Sequence, residues 1–119
     1  MYDNPDLLGR TMIDIGASVG DTAIYFTSLK AKKIWAYEID SELAKLASMN
    51  VELNDLQEKI KIIDEAATAE KLNRLIADKD MKAVFMKIDC EGCEYELING
   101  LDLFRTNDIV IEYCYEISR

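Results

Sequence analysis

Five short apolar runs, spaced by amphipathic stretches long enough for helices, restrict what this 119-residue chain can fold into. Residues 11–15, 33–39, 60–63, 82–88 and 109–115 read as strands rich in Ile, Val, Met and aromatic residues. Between them the spacing predicts helices. Residues 21–30 carry an apolar side from Val19, Ala23 and Phe26, and residues 41–54, capped by Asp40 or Ser41, are expected to turn Leu43, Leu46, Ala47, Asn50 and Leu53 inward. A third helix begins at Thr68 with Leu72, Leu75 and Ile76. A short fourth covers 94–99 with Gly100 as its C′ residue, and 101–104 add a further turn. Residues 1–10, polar and holding Asn4-Pro5, read as a lead-in. Strands alternating with helices imply right-handed βαβ units and a parallel sheet covered on both faces, a three-layer Rossmann-like α/β sandwich with strand order 3-2-1-4-5. With neither repeat nor linker, residues 1–119 form one expected domain.

Charge and composition remove several classes of function. Fourteen Lys+Arg stand against 23 Asp+Glu, a formal charge of -9, with no basic stripe to track a phosphate backbone, so nucleic acid is not an expected partner. No apolar run approaches a membrane span and the N-terminus shows no export signal, which makes a cytoplasmic location the expectation. Three cysteines, Cys90, Cys93 and Cys114, are an odd number for a disulfide framework and are expected to be reduced. There is no histidine. That excludes mechanisms built on an imidazole base and makes an ordinary zinc site hard to assemble, so no metal is expected.

The site should lie where strands end, at Asp14-Ile15-Gly16-Ala17-Ser18-Val19-Gly20-Asp21-Thr22. Gly16 to Gly20 spell the Gly-x-Ser-x-Gly of a hydrolase nucleophile elbow, but the elbow needs a histidine. A dinucleotide loop needs Gly-x-Gly-x-x-Gly, and Ser18 occupies the place of its middle glycine. Asp14 would repel a diphosphate and attract an ammonium or sulfonium, which favours S-adenosylmethionine. Glu38, about twenty residues on at the end of the second strand, suits both hydroxyls of a ribose. The alternative is that Glu38 and Asp40 merely cap the next helix.

Four segments together, Asp14 to Thr22, Ala36-Tyr37-Glu38-Ile39-Asp40, the run from Met86-Lys87-Ile88-Asp89-Cys90-Glu91-Gly92 to Cys93-Glu94-Tyr95-Glu96, and Ile111-Glu112-Tyr113, resemble the FkbM-type methyltransferases, a branch of the class I S-adenosylmethionine-dependent fold. The resemblance implies that Gly16, Ala17, Ser18, Gly20, Asp21 and Thr22 cradle the methionine part of the cofactor. It implies that Glu38 and Ile39 meet the ribose, that Asp64 lies near the adenine, and that Asp89 faces the methyl group and acceptor. The implied reaction is O-methylation of a small molecule or sugar hydroxyl. With no histidine, Asp89 or Glu91 is left as the base that takes the acceptor's proton.

Two departures qualify the pattern. Cys90-Glu91-Gly92-Cys93 is a Cys-x-x-Cys at a strand-to-helix junction, open either to thiol redox chemistry or to two small buried residues. The chain also has no sequence for the C-terminal antiparallel strand pair usual in the class. An uncovered last strand bearing Ile109, Ile111, Tyr113 and Tyr115 would be an open edge, so a homodimer or a partner subunit is expected there. A catalytically silent cofactor-binding or assembly module is the alternative function.

Overall fold

A computed structural model of the chain describes residues 8–81, 84–89, 92, 94–101 and 110–113, with the backbone alone for Glu94 and for 110–113. The expected lead-in before residue 8, the turn after Leu101, Cys90, Glu91, Cys93 and Cys114, and the ends of the last strand at Ile109 and Tyr115 lie outside the described residues.

Strands and helices alternate from first to last: β1 (Thr11–Ile15), α1 (Asp21–Thr27), β2 (Lys33–Tyr37), α2 (Ser41–Leu53), β3 (Ile60–Ile63), α3 (Ala69–Asp78), β4 (Phe85–Ile88), α4 (Glu94–Gly100) and β5 (Val110–Tyr113). The sheet has the order β3-β2-β1-β4-β5 and every pairing is parallel. Among the described residues there is no antiparallel pair. The switch of direction falls between β1 and β4, which opens a crevice at the carboxyl ends of the central strands.

The period-2 alternation of the strands feeds two cores. Met12, Ile34, Ala36, Ile60 and Phe85 pack with Ala23, Phe26 and Val51 of α1 and α2 on one face. Ile13, Ile15, Tyr37, Met86 and Ile88 pack with Leu72, Ile76 and Leu97 of α3 and α4 on the other. The sheet is therefore the middle of three layers.

Local chemistry sets the boundaries. Asp40 caps α2 by accepting the N–H groups of Glu42 and Leu43, and the Thr68 hydroxyl accepts that of Lys71 at the start of α3. α1 is shorter than the pattern predicts. Its last carbonyls are taken by the hydroxyls of Thr27 and Ser28, and Lys30 turns left-handed at φ 72. α2 is also rotated from its expected face: Ala44, Ala47 and Val51 are buried, while Leu46 and Leu53 face solvent. The cause is a close approach. A side chain at Gly20 would sit 3.2 Å from the Ala47 Cβ, so only small residues fit between the glycine loop and α2.

Gly100, expected just past α4, is its last residue, and a Cβ there would lie 2.5 Å from the Ala69 Cβ. It holds α4 against the start of α3. Gly100→Ala is expected to cost about 1–3 kcal/mol by overpacking. Ala69→Gly in the same chain should recover most of that, measured as the shift of the urea midpoint.

Candidate functional site

At the carboxyl ends of β1, β2 and β4 the crevice forms a cavity of about 510 Å³, within the range of small-molecule sites. Its lining includes Ile15, Gly16, Ser18, Tyr37, Glu38, Ile39, Leu43, Glu65, Ala66, Ala67 and Asp89. Among the described residues the charged groups in that lining are three carboxylates, from Glu38, Glu65 and Asp89, with no cation.

The loop from Gly16 to Gly20 is fastened at almost every residue. Gly16 and Ala17 both donate N–H to the Tyr37 carbonyl at 2.9 and 3.1 Å, Ser18 donates to Glu38 Oε1 at 2.6 Å, and Gly20 donates to the Ala17 carbonyl at 2.9 Å. Asn50 Nδ2 of α2 reaches the Val19 carbonyl at 2.8 Å. Three positive φ values allow this path, 87 at Gly16, 55 at Ser18 and 87 at Gly20. Because these N–H groups bond within the protein, they do not form an anion cradle of the dinucleotide kind.

Glu38 is the hinge of the arrangement. It is only 7% exposed, and its second oxygen, Oε2, accepts the Asp40 N–H at 3.0 Å. The cap of α2 is Asp40, so the reading of Glu38 as a helix cap gives way to one in which it clamps the glycine loop. A carboxylate has about four acceptor positions, and the two N–H groups use one on each oxygen.

Asp14 stands elsewhere than expected. It is fully buried and pairs with Lys87 Nζ at 2.8 Å, directly across from it in the β1–β4 register. It points to the α1–α2 face with Met12, whereas the strand ends lining the cavity, Ile15 and Tyr37, belong to the α3–α4 face. Its charge is thus neutralised inside the sheet. Burial holds the Asp14 carboxyl above the ordinary value of 3.8, opposed by Lys87, while Oδ2 finds no partner among the described residues.

Of the other expected contacts, Ala17 is buried beneath the loop, Gly20 packs on Ala47, and Asp21 and Thr22 open α1; none of these lines the cavity. Asp64 is also outside the lining. It accepts the Ser41 hydroxyl at 3.0 Å, and the next three residues, Glu65, Ala66 and Ala67, line the cavity in its place. Gly16, Ser18, Glu38, Ile39 and Asp89 are brought together. Asp89 is exposed at the end of β4, its N–H fixed on the Ile15 carbonyl at 2.9 Å. Tyr37, Leu43 and Glu65 are lining residues that the sequence reading missed, although Glu65 could have been found from its place just after β3. Burial raises the Tyr37 hydroxyl above 10.0, and Glu65 raises it further.

The acid-lined cavity fits a cation carrying vicinal hydroxyls better than a phosphate. Fold and family comparison define a class I S-adenosylmethionine-dependent methyltransferase domain, with S-adenosylmethionine as its cofactor. The family model described as ribosomal protein L11 methyltransferase (PrmA) matches residues 1–88, and the chain belongs to that family. The match is to PrmA rather than to the FkbM type; the motif from 86 to 96 that pointed to the latter lies mostly beyond the matched segment.

The ribosomal protein L11 methyltransferase of Lactococcus lactis subsp. cremoris is 35% identical over 75 residues, covering 63% of this chain and 21% of that protein. The solved ribosomal protein L11 methylase from Lactobacillus delbrueckii subsp. bulgaricus is 27% identical with a TM-score of 0.61, covering 88% of this chain and 50% of that one. M. capricolum TrmK, in complex with S-adenosylhomocysteine, has a TM-score of 0.69 at 20% identity, covering 94% and 49%, a likeness of fold. This chain spans about a fifth of the length of such curated relatives. Among the described residues no helix is long and apolar enough to cross a membrane.

Proposed function

We propose that this chain is the cofactor-binding core of a methyltransferase that modifies a ribosomal protein, the substrate class named for its family. The observation that carries the reading is the cavity itself: three carboxylates and a glycine loop clamped by Glu38, which also lines the cavity. When bound, S-adenosylmethionine supplies a methyl group on a sulfonium centre. The chain's task is then alignment. Glu38 orients the ribose, Glu65 and Asp89 favour positive charge, and Ile15, Tyr37 and Leu43 exclude water from one side. Asp89, exposed at the end of β4 and lining the cavity, would act as the base that takes the acceptor's proton.

O-methylation of a small-molecule or sugar hydroxyl is the second reading, favoured by the motif Met86-Lys87-Ile88-Asp89-Cys90-Glu91-Gly92, in which Asp89 or Glu91 would be the base. Pairing with a second copy or a partner subunit along β5 remains part of the proposal. A labelled methyl donor offered with ribosomal protein and, separately, with hydroxylated small molecules decides between the acceptors. We expect label on protein. Label on the small molecules alone would favour the second reading, and tight S-adenosylhomocysteine binding with no transfer would assign the chain to a silent binding module.

A further inference from the structure

The two ends of the sheet carry opposite charge. At the amino ends of β1 and β2, against the end of α3, lies a second cavity of about 390 Å³ lined by Gly9, Thr11, Lys32, Lys33, Trp35, Lys79, Asp80 and Met81. Three lysines there face one aspartate, in a chain whose formal charge is -9. We propose that this cavity binds a small, multiply charged anion of the phosphate type, at a site separate from the cofactor cavity.

Three observations build the site. First, the ammonium groups of Lys33 and Lys79 lie 5.4 and 5.6 Å from the centroid of the Trp35 ring, so the indole positions two like charges at the cavity. With Lys32 they give the lining three cations against the single Asp80, an excess of positive charge that an anion in the cavity would offset. Second, the frame is fixed by main-chain bonds: Lys32 N–H to the Arg10 carbonyl at 2.8 Å, Gly9 N–H to the Lys30 carbonyl at 3.1 Å, and Met81 N–H to the Ile76 carbonyl at 3.0 Å. Lys33 Nζ is further anchored on the Glu58 carbonyl at 3.0 Å. Third, complementing the carbonyls at the end of α3 accounts for Lys79, its C-cap residue, but not for Lys32 and Lys33 on β2. Thr11 is the uncharged polar residue of the lining.

The chain's single tryptophan is in this cavity, which gives a local readout. Pyrophosphate is titrated at low ionic strength while Trp35 fluorescence is followed, in the unaltered protein and in the Lys32→Gln and Lys79→Gln variants, both changed at exposed positions. We expect a saturable change that weakens about tenfold in each variant, with S-adenosylhomocysteine affinity unaltered. A change that does not saturate, that sodium chloride reproduces at matched ionic strength, or that both variants retain at full affinity overturns the site. The titration needs no cofactor, so its outcome is independent of the methyltransferase reading.

Discussion

Glu38→Ala is expected to weaken S-adenosylhomocysteine binding by one to two orders of magnitude in calorimetry, the larger of the expected effects on the site. The Glu38 carboxylate accepts the Ser18 N–H on one oxygen and the Asp40 N–H on the other, and it lines the cavity. Removing it loses a charge-assisted contact to the ligand, worth about 1.5–3 kcal/mol, and frees the glycine loop from its clamp. Glu38→Gln separates the two roles. An amide puts an NH2 donor where one carboxylate oxygen now accepts the Ser18 or the Asp40 N–H, so one of these bonds is lost and the loop should loosen even though the side chain keeps its size. Affinity unchanged in both variants would show that the carboxylate serves the fold alone. Thermal midpoints measured in parallel distinguish a weakened site from a weakened protein.

Lys87→Met should give the largest loss of stability, about 3–5 kcal/mol at neutral pH, because it strands the buried Asp14 carboxylate without its cation. The loss should depend on pH. Asp14 already sits above its ordinary 3.8 because burial outweighs the opposing effect of Lys87. A folded state with a raised carboxyl pKa binds protons more readily than the unfolded chain. The stability this brings is present below 3.8 and disappears as pH rises through the folded value. Without Lys87 that folded value climbs further, so the variant's deficit should shrink on acidification from pH 8 toward 5. The Asp14→Asn, Lys87→Met double variant should recover much of the loss and lose the pH dependence. A deficit that stays constant with pH would contradict the assignment. Urea denaturation at several pH values measures each of these outcomes.

Much of the fold was legible because local chemistry and pattern agree. Ile60 to Ile63 is an isolated apolar run and forms β3 as read, and Asp40 marks the start of α2 because its carboxylate is what the first free N–H groups require. The rotation of α2 was not legible. Ala47 faces inward as expected, but its neighbours there are Ala44 and Val51 rather than Leu46 and Leu53, because the glycine loop approaches so closely that a Cβ added at Gly20 would lie 3.2 Å from Ala47. Within the site, Glu38 could be found from its place after β2. The burial of Asp14 could not, since its partner is 73 residues away on a strand that neighbours β1 only in the sheet. Asp64 was one residue off: β3 ends at Ile63, and the chain presents Glu65 rather than Asp64 to the cavity.

The fastening of the Gly16 to Gly20 loop also bears on the kinetics of recognition. Tyr37, Glu38, Asn50 and Ala47 each hold one part of it, so its conformational freedom is given up when the chain folds and not when a ligand arrives. A receptor prepared in this way has little left to order on encounter. The cofactor then meets a ready-made mould, and association is governed by collision and the opening of the crevice rather than by a slow rearrangement of the glycine turn.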